Sequence, residues 1–303
     1  MLKHKANPHN FELPSLPPES PIKRTTDSGI IHQDQFTRKN LKSVLHLITQ
    51  ELKKRGTKTP HIFLPFRSRI KDYKLNELLL QLAPQGELIQ DVSKCKEIFS
   101  TTDEFTLMCC LKYFWARLPN SEIIGQDVYR EFKRKEAEQH FPKNAFLTIM
   151  PKCLSSPAHA SIVYDFLDLI LNITSNAPYN NLSGRKISKM AGIWAFNPEK
   201  PLSTSIFSDD SIETEHDFVE GINNWKKTTD AMFHLVLAFL RAMLPENNAE
   251  TLKLPKTLQS LLVTSQYPPS SEKESSKSIT IPCVCVTTTK PSSTAYDLIS
   301  KVR

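Results

Sequence analysis

The stretch "LKYFWARLPNSEII", residues 111–124, decides how the rest of the chain is read. Leu111, Phe114, Trp115 and Leu118 recur at helical spacing, which predicts a core-facing helix that Pro119 stops. Lys112 and Arg117 flank this apolar stripe as two surface cations. The run extends upstream through "STTDEFTLMCC", where Ser100, Thr101 or Thr102 can cap the helix and Asp103 and Glu104 fall in the first turn. Two readings stand side by side: a packing element, and a surface built to meet an anion.

Working outward, the same period recurs. "FTRKNLKSVLHLITQELKKRG" puts Leu41, Val44, Leu45, Ile48 and Leu52 on one face and ends at Gly56. "HIFLPF" is a short apolar piece running into Arg67, and "YKLNELLLQLAPQG" predicts a helix closed by Pro84 and Gly86. Downstream, "GQDVYREFKRKEAEQ" reads as a short, mostly solvated helix. "SPAHASIVYDFLDLILNITSN" carries Ile162, Val163, Phe166, Leu167, Ile170 and Ile173 at core spacing. "LSGRKISKMAGIWAF" predicts a helix with Ser183 as cap, "NPEKPLSTSIFSDDSIETEHD" a long acidic loop, and "TTDAMFHLVLAFLRAML" the most apolar helix. Trp115, Trp194 and Trp225 are expected in the core or in grooves. Period-2 alternation is nearly absent until "SITIPCVCVTTT". The expected architecture is all-α: a Pro/Ser-rich disordered tail over 1–30, a helical domain over 31–266, and a linker with a short β-like segment over 267–303. The end inside "STAYDLISKVR" predicts that more chain follows.

Composition excludes several functions. The 303 residues hold 7 Gly, with neither GxGxxG nor GxxxxGK[ST], so no nucleotide cofactor is expected. The net charge of +7 suits phosphates, acidic proteins or anionic lipid surfaces without choosing among them. The six cysteines form no C-x-x-C pair and no His stands at zinc-finger spacing, so no metal is expected. No stretch approaches the ~20 apolar residues of a membrane span, and the chain reads as intracellular. H-E-x-x-H and G-x-S-x-G are absent, and Asp165 and Asp168 read as acids of a helix surface. The basic runs "KKRGTK" and "FKRKEAE" lack the aromatic spacing of a nucleic-acid platform, so no nucleic acid is expected as partner.

In order, "FTRKNLKSVLHLITQELKKRGTKTPHIFLPFRS", "DEFTLMCCLKYFWARLPNSEIIGQDVYREF" and "IMPKCLSSPAHASIVYDFLDLILNITSNAPYNNLSGRKISKMAGIWAF" resemble the helices of the Rho GTPase-activating domain. More narrowly, "RLPNSEIIG", "SSPAHASIVYDF", "RKISKMAGIWAF", "DAMFHLVLAFLRAMLP" and "LPKTLQSLLVTSQYPP" are similar to the fungal bud-emergence proteins of the multicopy-suppressor-of-budding-defect family. That resemblance implies a divergent GTPase-activating-like helical bundle acting in polarised growth. Its implied partners are Rho-family GTPases and cortical scaffold proteins, met at the bud site or bud neck.

It also implies a site. An activating domain inserts an Arg that stabilises charge in phosphoryl transfer, worth roughly 10³–10⁵ in rate. Arg67 matches this finger, with Arg69 as the alternative; Lys112 and Arg117 match the basic pair that supports the finger loop and meets the GTPase. Five residues apart, these two diverge by about 140° around a helix, so one can brace the loop while the other faces the partner. The family's switch-binding Asn falls at Lys186, a donor-only cation, and Ile193, Trp194 and Ala195 replace its Pro-Asn-Leu. The loop "PFRSRIKDYK" is crowded and charged, with Pro65 fixing φ two residues before Arg67. GTPase binding is therefore expected to survive better than catalysis, the alternative being an active GTPase-activating protein that uses Arg67.

Overall fold

The computed structural model describes residues 29–63, 72–197, 215–244, 257–258 and 267–268. The expected tail up to residue 28, the acidic stretch 198–214 and the β-like segment near 278–289 lie outside the described residues. Among the described residues every regular element is helical: α1 (Arg38–Glu51), α2 (Asp72–Leu82), α3 (Val92–Thr101), α4 (Glu104–Trp115), α5 (Gln126–Glu138), α6 (Ala145–Thr148), α7 (Met150–Cys153), α8 (Pro157–Ser175), α9 (Ala177–Asn180), α10 (Gly184–Phe196) and α11 (Glu215–Met243). They belong to one unit ending at Pro269; residues 270–303 form a second unit, none of it described.

The opening stretch behaves as its period requires. Leu111, Phe114 and Trp115 of α4 are buried, and Trp115 meets Phe166 of α8 edge-on, with ring centroids 5.2 Å apart. α1 lies along α8 and turns Leu41, Val44, Leu45 and Ile48 into the core. α8 starts where Ser156 accepts from the His159 amide and Pro157 occupies the first position, so one orphan N–H is bonded and another is absent.

Several expectations are corrected. The cap of α4 is Asp103, accepting from the Thr106 amide at 2.9 Å; Ser100 and Thr101 instead finish α3. α3 itself escapes a periodicity reading because Cys95, Ile98 and Phe99 are its main apolar anchors; Asp91 caps it through the Ser93 and Lys94 amides. The solvated reading of α5 fails on its inner face, where Phe132 and Glu136 are fully buried. Asp165 is no surface acid: it is 7 % exposed and takes a 3.0 Å contact from His46 of α1, while burial raises its pKa. α11 begins thirteen residues before "TTDAMF", inside the expected acidic loop; upstream of that apolar run Ile222 and Trp225 are exposed, so no apolar stripe signals the helix there. Trp225 is 43 % exposed rather than core.

Among the described residues α10 and α11 share the most extensive helix contact. A Cβ on Gly192 would lie 2.8 Å from the Thr228 carbonyl oxygen, so only glycine lets the two backbones approach this far. At the opposite end of the sequence, the α1 helix closes in a π-turn, Leu52–Gly56, whose Arg55 ties three elements. Its Nε donates to Glu51 at 2.7 Å and one terminal nitrogen to Glu104 at 2.8 Å; the other donates to the Phe99 carbonyl at 2.8 Å and to that of Thr102. Arg55→Ala strips donors from the end of α3, removes the ion pair of Glu104 and leaves Glu51 with Lys54 alone. Urea unfolding should show a loss of about 2–3 kcal/mol with the helical circular dichroism retained.

Candidate functional site

The turn from Thr57 to Phe63 leads from α1 into the segment that holds Arg67. Arg67 and Arg69 themselves lie outside the described residues. The turn is held from two sides, by α4 and by the corner joining α8, α9 and α10.

α4 holds it at Phe63. Lys112 is 8 % exposed, and its Nζ donates to the Phe63 carbonyl at 3.2 Å while lying 5.2 Å from that ring's centroid. Phe63 is fully buried, with its ring 6.1 Å from that of Trp115. Lys112 is thus not the surface cation that its place beside the apolar stripe suggests. Burial drags its pKa from 10.5 down to about 8. Taking this ammonium out of water opposes its charge, and the Phe63 carbonyl and ring are among the groups that meet it.

The corner joining α8, α9 and α10 holds the turn at its start. Asn180 is fully buried; its Nδ2 donates to the Thr57 and Ile173 carbonyls at 2.7 Å each, and its Oδ1 accepts from the Leu182 amide at 2.8 Å. One carboxamide uses both faces, so only Asn fits without orphaning a carbonyl. The Asn180 carbonyl also accepts from the His61 amide, and His61 and Asn181 both hold left-handed φ, at 61° and 63°. Two non-glycine residues in this region mark stored strain where the turn meets α10. Lys186, in the first turns of α10, is exposed and donates to the Asn181 carbonyl at 3.4 Å.

Arg117 takes a third position. It is half-buried, its guanidinium 3.6 Å from the centre of the Tyr113 ring and 5.8 Å from that of Phe36, and it donates to the Tyr113 carbonyl at 3.2 Å. Lys112 therefore holds the turn that precedes Arg67, Lys186 caps the end of α9 at Asn181, and Arg117 is directed to the start of α1. Sequence reasoning missed Asn180; the signal was present in "YNNLSG", where two adjacent Asn precede a helix.

The loop that follows α4 is fixed at the far end of α10. Ile123 N–H donates to the Trp194 carbonyl, and Ile124 and Gly125 N–H donate to that of Ala195. Buried His159 of α8 completes this anchor: its Nε2 donates to the Ile123 carbonyl at 2.9 Å, and its Nδ1 accepts from the Ser155 hydroxyl at 3.1 Å. The adjoining cleft of about 730 Å³ mixes Arg38, Arg130 and Lys227 with Glu122 and Asp127, so it presents no single sign of charge to a ligand. Among the described residues no group of three His, Cys, Asp or Glu could hold a metal ion, and no helix is long and apolar enough to cross a membrane.

A family model described as the meiotically up-regulated protein Msb1/Mug8 domain matches residues 35–303. The chain belongs to the Msb1/Mug8 domain family. It is 46 % identical over 277 residues to the morphogenesis-related protein MSB1 of Saccharomyces cerevisiae, covering 88 % of this chain and 24 % of that protein. It is 25 % identical over 175 residues to the meiotically up-regulated gene 8 protein of Schizosaccharomyces pombe, covering 56 % of this chain and 22 % of that protein. The chain thus spans about a quarter of the length of these curated relatives. Among solved structures it is similar to human Rho GTPase activating protein 15, with a TM-score of 0.41, 13 % identity, and coverage of 66 % of this chain and 83 % of that one.

The His159 anchor has a testable pH signature. Burial first, then the charge of Arg38, holds its pKa down from 6.5 to about 4. Between those values the unfolded chain binds the proton and the folded chain does not, so stability falls as the pH drops through that window. The slope approaches ~1.4 kcal/mol per pH unit for this one proton. Urea titrations at pH 7 and pH 5 should show wild type losing more stability than His159→Gln, which keeps a donor for Ile123 but does not titrate.

Proposed function

We propose that this chain is the GTPase-binding helical module of a morphogenesis protein acting in cell polarity and bud emergence. It holds a Rho-family GTPase without strongly accelerating GTP hydrolysis. The observation that carries this reading is the buried ammonium of Lys112 beneath the turn that leads to Arg67. A fold optimised for stability alone would place an apolar side chain there, so a desolvated cation at the base of a loop argues that the loop's position is what is selected. Left-handed His61, on the turn itself, supports it.

The partner surface in this reading includes Lys186 and the exposed face of α10, with Arg117 contributing at the C-terminal end of α4. Its cations suit the acidic, carbonyl-rich surface of a GTPase switch region. Catalysis is weak because Lys186 stands where the resembled domain uses Asn. A mobile ammonium cannot both donate and accept to fix a switch backbone. The morphogenesis role follows the name of the S. cerevisiae relative. With it come polarity scaffold proteins as further partners and recruitment from the cytoplasm to the cortex at the bud site or bud neck.

Equilibrium binding to a panel of Rho-family GTPases, each loaded with GDP or a non-hydrolysable GTP analogue, tests the proposal alongside single-turnover hydrolysis. The GTP-state complex should be favoured about tenfold or more. Acceleration should stay well below the roughly 10³-fold floor of a working finger, and Arg67→Ala should leave binding nearly unchanged. Strong acceleration lost in Arg67→Ala or Arg69→Ala would establish an active GTPase-activating protein instead. Binding to neither nucleotide state would leave an adaptor that has lost GTPase contact.

A further inference from the structure

We infer that the groove between α5 and α11 is a tyrosine-binding socket, filled in cis by Tyr267. Glu136 of α5 is fully buried, and the Tyr267 hydroxyl donates to its Oε1. His234 of α11 is 3 % exposed, and its Nε2 lies 3.0 Å from both the Tyr267 oxygen and Glu136 Oε2. The approach to Oε2 is out of line for a hydrogen bond, and Oε2 is a buried oxygen without a hydrogen-bond partner. Tyr129 of α5 closes the chain of contacts, its hydroxyl donating to His234 Nδ1 at 3.2 Å. Arg241 lays its guanidinium 3.8 Å from the centre of the Tyr267 ring and donates to the Phe141 carbonyl.

Three features make this a binding site rather than ordinary packing. A carboxylate in full burial with one oxygen unsatisfied is stabilising only if something pays back its desolvation, and the Tyr267 hydroxyl is the donor that does so from outside the helices. Burial and the Glu136 charge push the Tyr267 phenol upward, so it stays protonated and able to donate. Recognition covers the whole side chain: the acid takes the hydroxyl, the guanidinium takes the ring face, and Phe141 meets it edge-on at 6.3 Å. The occupant comes from the last residues of the first unit, which ends at Pro269. This inference is independent of GTPase binding.

Hydrogen–deuterium exchange on the full chain, with peptides added in trans, tests it. In Tyr267→Phe, which keeps the ring, exchange in peptides covering 257–268 should rise about tenfold or more, with α1 and α8 within twofold of wild type. In Tyr267→Ala, a peptide of residues 262–272 should bind and slow exchange along α5 and α11; the same peptide with Phe for Tyr should bind at least about tenfold more weakly. Unchanged exchange in Tyr267→Phe, or a uniform rise across the bundle, would overturn the socket. So would failure of the Tyr peptide to bind, or equal binding by the Phe peptide or an unrelated Tyr peptide.

Discussion

The burial of one ammonium constrains much of this fold. Lys112 sits in the most apolar helix of the opening half of the chain, one residue from Leu111 and two from Phe114, and cannot point to water without turning that stripe away from α8. The protein resolves the conflict by bringing the Phe63 carbonyl and ring to it. That requirement places the Thr57–Phe63 turn, and the turn in turn requires Asn180 to supply donors for the Thr57 carbonyl. The α8–α10 corner, the left-handed residues His61 and Asn181, and the position of Lys186 follow from the same chain of contacts.

Polar groups inside this bundle work as joints between helices that are distant in sequence. Arg55 joins α1 to α3 and α4, His159 joins α8 to the loop after α4, and Glu136 with His234 joins α5 to α11. Each joint carries a desolvation cost that an apolar pair would avoid, and each in exchange allows one partner geometry only. A bundle pinned in this way can present a loop at a fixed place, which is what a recognition module needs.

Helical periodicity made α1, α4, α8 and α10 legible, because their apolar residues fall on one face and the flanks are polar. It could not show α3, whose stripe is short, or the first turns of α11, where Ile222 and Trp225 are exposed. Caps were harder still: Ser100, Thr101, Thr102 and Asp103 are all capping types, and only the hydrogen bond to Thr106 separates Asp103 from the rest. Charge misled most at the site. Lys112, Asp165 and Glu136 read as surface charges because a sequence shows their polarity but not the distant partners, Phe63, His46 and Tyr267, that make burial tolerable. The ordered blocks resembling a GTPase-activating domain pointed to Lys112 where spacing alone did not.

The central claim is that Lys112 is kept for the loop and its partner at the expense of the fold. Lys112→Met, measured for both unfolding free energy and affinity for a GTP-loaded Rho-family GTPase, separates the two contributions. Removing a buried charge whose pKa is held at about 8 offsets the loss of its hydrogen bonding, that to Phe63 included, so stability should stay within about 1 kcal/mol of wild type or rise, while affinity falls about tenfold or more. A variant that loses several kcal/mol of stability yet binds as tightly as wild type would contradict the account.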